Sequence, residues 1–270
     1  LLKSIRQNSY DLIFDFYSNP STAIITFLSG AQYRAGFPYR GRKYAYNLWG
    51  PKERGKFHAA LLHLEMLKLL GITISKTNLY FSLDDNSITY ANKYLASFFS
   101  SKYMLVGISP TGGWESKKCE PKKLAEIGNE IINKYGAKVL IIWGPSDIND
   151  AKKIKEIIGE NAILAPSTSL TEMSALISKC SFIVANDSGP MHISTAVGTP
   201  VLSLHGPTNP LHQGPFGDKH EWIHLNELDC IMCNLLVCPR KHECFNELPL
   251  SRIMEKVDLL IKKNNLVSSA

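Results

Sequence analysis

The sequence predicts an α/β protein built of two doubly wound, Rossmann-like domains. Three observations carry that expectation. From Tyr103 onward short apolar runs alternate with amphipathic ones, as strands do when crossover helices join them into a parallel sheet. One unit of the series, Phe182 to Leu204, turns at Asn186-Asp187-Ser188-Gly189-Pro190, which joins helix-capping side chains to a glycine and a first-turn proline. The net charge of +6 is also unevenly spread: residues 1–100 hold twelve Lys and Arg against six Asp and Glu, and residues 101–270 hold eighteen of each. A fresh strand follows Ser100-Ser101, so the expected domains are 1–100 and 101–270.

In chain order, Asp11 to Tyr17 reads as a strand, and Asn19-Pro20-Ser21-Thr22 starts a helix that reaches Ser29-Gly30. A short strand near Gln32 to Gly36 follows. Lys56 to Leu70 has leucines at helical spacing and stops at Gly71, and a further helix is expected from Asn92 to Phe99. Strand Tyr103 to Ser109 opens the second domain. Helix Pro121 to Tyr135, strand Ala137 to Trp143, helix Asn149 to Ile158 and strand Ala162 to Ala165 continue it. Helix Leu170 to Ser178 carries a capping box between Ser169 and Glu172, and leads into strand Phe182 to Ala185. Helix Ser188 to Val197, closed by Gly198, and strand Val201 to Leu204 complete the central unit, and a C-terminal helix ends the chain. No apolar run is long enough to span a bilayer as a helix, and no signal segment stands at the start.

If the sheet is parallel, its strand-to-helix loops share one edge, where ligands bind. The turn at Asp187, Ser188 and Gly189 offers backbone N–H groups and the positive end of a helix dipole, which suit the phosphates of a nucleotide. Ser109-Pro110-Thr111-Gly112-Gly113 with Lys117 and Lys118 adds a hydroxyl, two glycines and two cations. Asp147, after Trp143-Gly144-Pro145, either accepts ribose hydroxyls or caps the next helix. The segment from Arg34 to Lys56 is strongly basic, with Arg34, Arg40 and Arg42 among aromatic residues, and arginine forks favour phosphate or carboxylate partners. Nucleic acid is the less favoured partner, since no aromatic sheet motif of an RNA-binding module is present. Cys230, Cys233, Cys238 and Cys244 sit at short spacing and leave three readings open: reduced thiols, a structural zinc, or a disulfide formed on oxidation.

The stretch D-S-G-P-x-H-x-x-x-A-x-G-x-P from Asp187, followed by G-P-T-x-P from Gly206, resembles the family 9 glycosyltransferases, the heptosyltransferases of lipopolysaccharide core assembly. Asp11, Asp15, Asn19, Arg34, Gly36 and Phe37 match further family segments, and His58 falls where the family usually has a histidine. Thr111-Gly112 and Cys119 depart from the family's usual residues in the lysine loop. The resemblance implies a GT-B fold and an inverting glycosyltransferase that requires no cofactor and no metal, with ADP-heptose the favoured donor. It implies donor binding by Thr111, Gly112, Lys117, Asp147, Asp187, Ser188, Gly189 and His192, the last also a candidate for assisting departure of the nucleotide. Asn19, Arg34, Arg40 and Arg42 would hold an anionic glycolipid acceptor, at the cytoplasmic face of the membrane. The family's base aspartate belongs to a segment upstream of the matched part, so the first domain is expected to be truncated and no base is assigned. Two alternatives stand beside transfer: a nucleotide-sugar-binding protein without catalysis, and an RNA-binding protein.

Overall fold

The computed structural model describes residues 1–98 and 103–266. The chain divides into two compact units, Leu1–Thr77 and Asn78–Ala270. The boundary expected at Ser100-Ser101 lies outside the described residues.

The first unit contains α1 (Leu2–Gln7), β1 (Leu12–Asp15), α2 (Pro20–Leu28), β2 (Tyr33–Gly36), β3 (Leu48–Trp49) and α3 (Ala59–Leu64). Its strands form a parallel sheet in the order β1-β2-β3. Asn19 starts α2 with a reciprocal cap: its side-chain oxygen accepts from the Thr22 amide at 2.9 Å, and the Thr22 hydroxyl accepts from the Asn19 amide at 3.1 Å. The single helix expected from Lys56 to Leu70 is instead α3 followed by a 3-10 turn at Leu67–Leu70. Leu69 and Leu70 are over a third exposed, so the apolar stripe that predicted a continuous helix has nothing to bury against there, and the last turn tightens.

The second unit runs α4 (Asp85–Ala96), β4 (Leu105–Ser109), α5 (Pro121–Tyr135), β5 (Lys138–Ile141), α6 (Ile148–Ile158), β6 (Ala162–Leu164), α7 (Leu170–Ser178), β7 (Phe182–Asn186), α8 (Gly189–Val197), β8 (Val201–Leu204), α9 (Pro210–Gln213), β9 (Glu221–Ile223), α10 (Glu243–Asn246) and α11 (Leu250–Lys263). Helix α4 begins seven residues before the expected Asn92, because Asp84 caps it by accepting from the Ser87 amide at 2.8 Å. It packs on α7, within this unit. The six strands are all parallel, in the order β6-β5-β4-β7-β8-β9.

Side chains alternate across the sheet with a period of two. In β7, Phe182 and Val184 join a core under α5, α6 and α11, while Ile183 and Ala185 join a second core under α4, α7 and α8. Burying such a residue contributes roughly 1.5–3 kcal/mol, and both faces of the sheet are covered. Chain order reverses between β4 and β7: the chain leaves β4 toward β5 on one side and leaves β7 toward β8 on the other. The loops after these two strands therefore diverge at the carboxyl edge and open a crevice.

Candidate functional site

Asn186, the last residue of β7 and fully buried, holds the two crevice loops together. Its amide nitrogen donates to the carbonyls of Pro110 at 3.0 Å and Thr111 at 3.3 Å, and its oxygen accepts from the Cys119 amide at 3.3 Å. Sequence reasoning treated Asn186 as part of a turn and gave it no role. A polar residue closing an apolar strand run was the available signal.

Two ion pairs line the crevice. The Lys117 ammonium lies 2.8 Å from Asp187 Oδ2, with both side chains nearly buried, and 4.3 Å from the centre of the Trp114 ring. Lys118 reaches Asp147 at 2.5 Å, and its stem passes over Gly112, where an added Cβ would come within 2.6 Å of Lys118 Cγ. Asp147 makes no side-chain cap on α6, so of its two expected roles the capping one is absent, and its carboxylate is engaged by Lys118 instead. Thr208, from the loop after β8, donates to Asp187 Oδ2 at 2.6 Å. The expected residues Thr111, Gly112, Lys117, Asp147, Asp187, Ser188 and Gly189 are thus brought to one edge of one sheet.

Helix α8 starts here. The Ser188 hydroxyl turns back to its own strand, donating to the Asn186 carbonyl at 3.1 Å, which leaves the first amides of α8 without a side-chain cap. Gly189 is exposed, and a Cβ built on it meets no atom within 4 Å, so the approach to these amides is open. His192 is exposed on the first turns of α8, its carbonyl accepting from the Thr195 hydroxyl at 2.7 Å. The Thr111 hydroxyl is buried and has no hydrogen-bond partner among the described residues. Lys117, Thr111 and the first amides of α8 offer an anion a cation, a hydroxyl and N–H donors along one sheet edge, beside the carboxylates of Asp187 and Asp147.

In the first unit the expected acceptor residues separate. Arg34 spends its guanidinium on backbone, donating to Ala31 O at 2.8 Å and Ala45 O at 3.1 Å. Asn19 is the cap described above. Arg40 is exposed in a left-handed conformation (φ 45°), and Arg42 is half-buried with its Nε unpartnered among the described residues, so these two remain available to an anion. Asp15 has both oxygens occupied, accepting from the Ser18 amide and the Tyr46 hydroxyl, each at 2.8 Å. Burial pushes the Tyr46 phenol up to about 12, so it stays a donor to Asp15 at neutral pH. His58 accepts from the Ala60 amide at 3.1 Å and so caps α3.

All six cysteines are unpaired. Among the described residues no three His, Cys, Asp or Glu side chains converge on a point where a metal could sit. Cys238 accepts from the His242 amide, and the Cys244 sulfur is turned against Gly206, 2.5 Å from where a Cβ there would lie. The thiols of Cys230, Cys233, Cys238 and Cys244 do not gather around one point in this arrangement. Burial, then the neighbouring Cys238, Cys230 and Cys233, push the Cys244 thiol up to about 12. The loop that carries these cysteines braces the loops after β4 and β8. Ser116 donates to the carbonyls of Leu235 and Leu236, Glu115 accepts from the Cys238 amide at 2.8 Å, and the Met232 and Asn234 amides donate to Gly206 and Pro207.

The family profile of glycosyltransferase family 9 (heptosyltransferase) matches residues 1–242. The chain belongs to glycosyltransferase family 9. Among curated family 9 relatives, the lipopolysaccharide core heptosyltransferase OpsX of Haemophilus influenzae is 25% identical over 238 residues, covering 84% of this chain and 66% of that protein. Lipooligosaccharide heptosyltransferase 2 of the same organism is 35% identical over 107 residues, 38% of this chain and 31% of that protein. The match spans less than two thirds of the length of these relatives. Among solved structures, the ADP-heptose heptosyltransferase II of E. coli superposes with a TM-score of 0.75 at 19% identity, covering 98% of this chain and 80% of that one. E. coli heptosyltransferase WaaC, solved with ADP, gives a TM-score of 0.67 at 18% identity, covering 97% and 75%. The family 9 chain therefore has the α/β GT-B fold of the heptosyltransferases.

Proposed function

We propose that the chain carries out the donor half of a heptosyltransferase reaction, binding a nucleotide-activated heptose at the crevice after β4 and β7. The single observation that carries this reading is the Lys117 ammonium, buried at a topological switch point beside the uncapped amides of α8. Relatives named as lipopolysaccharide core heptosyltransferases, and a structural neighbour solved with ADP, favour ADP-heptose as the donor.

Lys117 and the α8 amides would hold the diphosphate and stabilise the charge that collects on it as the sugar departs. The Thr111 hydroxyl would satisfy its unmade hydrogen bond on a phosphate oxygen, and Lys118 would hold Asp147 toward the ribose. His192, exposed on α8, would add a donor to the departing nucleotide. Attack by an acceptor hydroxyl from the opposite face inverts the anomeric centre, and with Lys117 and the amides carrying the phosphate charge we assign no metal to the step. The acceptor is an anionic lipopolysaccharide-core glycolipid, met at the cytoplasmic membrane face and held by Arg40 and Arg42. A second reading, sugar-nucleotide binding without transfer, draws on Asp15: both its oxygens are committed, so it is not poised as a base.

Isothermal titration with ADP and UDP, followed by turnover of ADP-heptose on a de-heptosylated core, tests the proposal. ADP is expected to bind and to bind more tightly than UDP. Binding of neither nucleotide would refute the donor site.

A further inference from the structure

A line of buried polar side chains runs from the ion pair into the sheet: Lys117, Asp187, Thr208, His205 and Ser203, of which the last three are fully buried. Thr208 Oγ1 lies 2.6 Å from Asp187 Oδ2 and 3.3 Å from His205 Nδ1, and His205 Nε2 lies 2.9 Å from Ser203 Oγ. The direction of every proton along it follows from the carboxylate. Asp187, ion-paired with Lys117, only accepts, so Thr208 gives it the one hydroxyl proton it has. Thr208 then has only lone pairs to offer the ring, which places the histidine proton on Nδ1. In a neutral ring Nε2 must accept, and Ser203 is its donor.

Each group in the line thereby satisfies its neighbour. A charged imidazolium would turn Ser203 from donor to acceptor and take the ring away as the partner of its hydroxyl proton. Burial opposes that charge and holds the His205 pKa down at about 4, Lys117, His192 and His224 add to the effect, and Asp187 works against it. The line matters for the crevice because Thr208 and Lys117 meet the same oxygen, Oδ2. The threonine bond fixes the rotation of the carboxylate that in turn meets the ammonium.

We propose that His205 is a positioning residue of the donor site: as the Nδ1–H tautomer it orients the Thr208 hydroxyl, which holds Asp187 so that Asp187 sets the place of the Lys117 ammonium. The proposal rests on the donor reading above, and two measurements keep them apart. In the wild-type protein, NMR of ¹⁵N-labelled histidine reads the tautomer directly. The expected signal is a neutral ring protonated at Nδ1, and a proton at Nε2 overturns the proposal. Titration with ADP then compares Thr208→Val, Thr208→Ser and His205→Phe, with thermal unfolding run on each to show that it is folded. Thr208→Val and His205→Phe are expected to weaken ADP on the order of tenfold, the usual size for a buried acceptor left unpaired. Thr208→Ser, which keeps the hydroxyl, restores the affinity. Unchanged affinity in both Thr208→Val and His205→Phe overturns the positioning role. Wild-type protein that shows the Nδ1 proton yet binds no ADP counts against the donor site and leaves the relay standing.

Discussion

Lys117 and Asp187 form one ion pair, yet replacing either partner should move nucleotide binding in opposite directions. At 2.8 Å and an effective dielectric near 20, the pair's Coulomb attraction is about 6 kcal/mol before desolvation is charged against it. The side chains are only 11% and 5% exposed, so breaking the pair from either side costs about 3–5 kcal/mol of stability. Lys117→Met and Asp187→Asn should therefore both lower the melting temperature. For an anionic ligand the signs diverge. Lys117→Met removes a charged hydrogen bond of roughly 1.5–3 kcal/mol and leaves a bare carboxylate, so ADP affinity should fall between about tenfold and 150-fold. Asp187→Asn keeps the shape, and the amide oxygen still accepts from Thr208 and Lys117, but the competing negative charge is gone. ADP should then bind at least as tightly as to the wild type. Calorimetry at two salt concentrations, beside thermal melts, decides the matter. If both variants lose ADP equally, the pair serves stability alone and the phosphate role of Lys117 is refuted.

Gly189→Val places a side chain in open space over the first amides of α8, so it should change stability by no more than about 0.5 kcal/mol, about 1–2 °C in melting temperature, while weakening ADP at least tenfold; retained ADP affinity would move the phosphate elsewhere. Arg34→Gln removes two bonds to backbone carbonyls and should destabilise the first unit by about 1–3 kcal/mol in urea unfolding, whereas Arg40→Gln with Arg42→Gln should raise the acceptor KM and leave both stability and ADP affinity alone. Burial holds His205 and His220 near 4, below the ordinary value of about 6.5, so the unfolded chain takes up protons that the folded chain refuses between those limits. Their contribution is complete above about pH 6.5 and is lost as pH falls toward 4, at about 3 kcal/mol for His205. Melting curves from pH 7 to 4 should show this decline, and His205→Asn should flatten it.

The central unit was legible because each of its signals is local. A proline and glycine start α8, Gly198 ends it, and the apolar runs of β7 and β8 are too short for helices. Helices α5 and α7 fall where their caps place them, at Pro121 and at the Ser169–Glu172 box. The edge strand β9 escaped notice, since Glu221-Trp222-Ile223 carries no turn signal and earns its pairing only from β8 beside it. Site residues named from charge alone divided differently. Lys117 lies in the crevice because the loop after β4 must end at the sheet's carboxyl edge. Arg34 looked equally suited to an anion, but the nearby Ala31 and Ala45 carbonyls claimed it, and nothing in the sequence announces where a carbonyl will point. Asn186 and Thr208 meet partners more than twenty residues away, and His205 is tied in through its near neighbours Ser203 and Thr208, so only the folded chain reveals the partnership.

The bracing loop also fixes when the crevice can form. Ser116 and Glu115 find their partners at Leu235, Leu236 and Cys238, more than a hundred residues further along. A ribosome adding about 5–20 residues per second delivers that loop many seconds after β4 and α5 have emerged. Over that interval the lysine loop has its glycines but not its clamp, and the nascent sheet has neither β9 nor α11. On the donor reading proposed above, nucleotide capture waits until residues 230–240 have been made, and truncation within them should leave a sheet that has formed most of its strands and still holds no ligand.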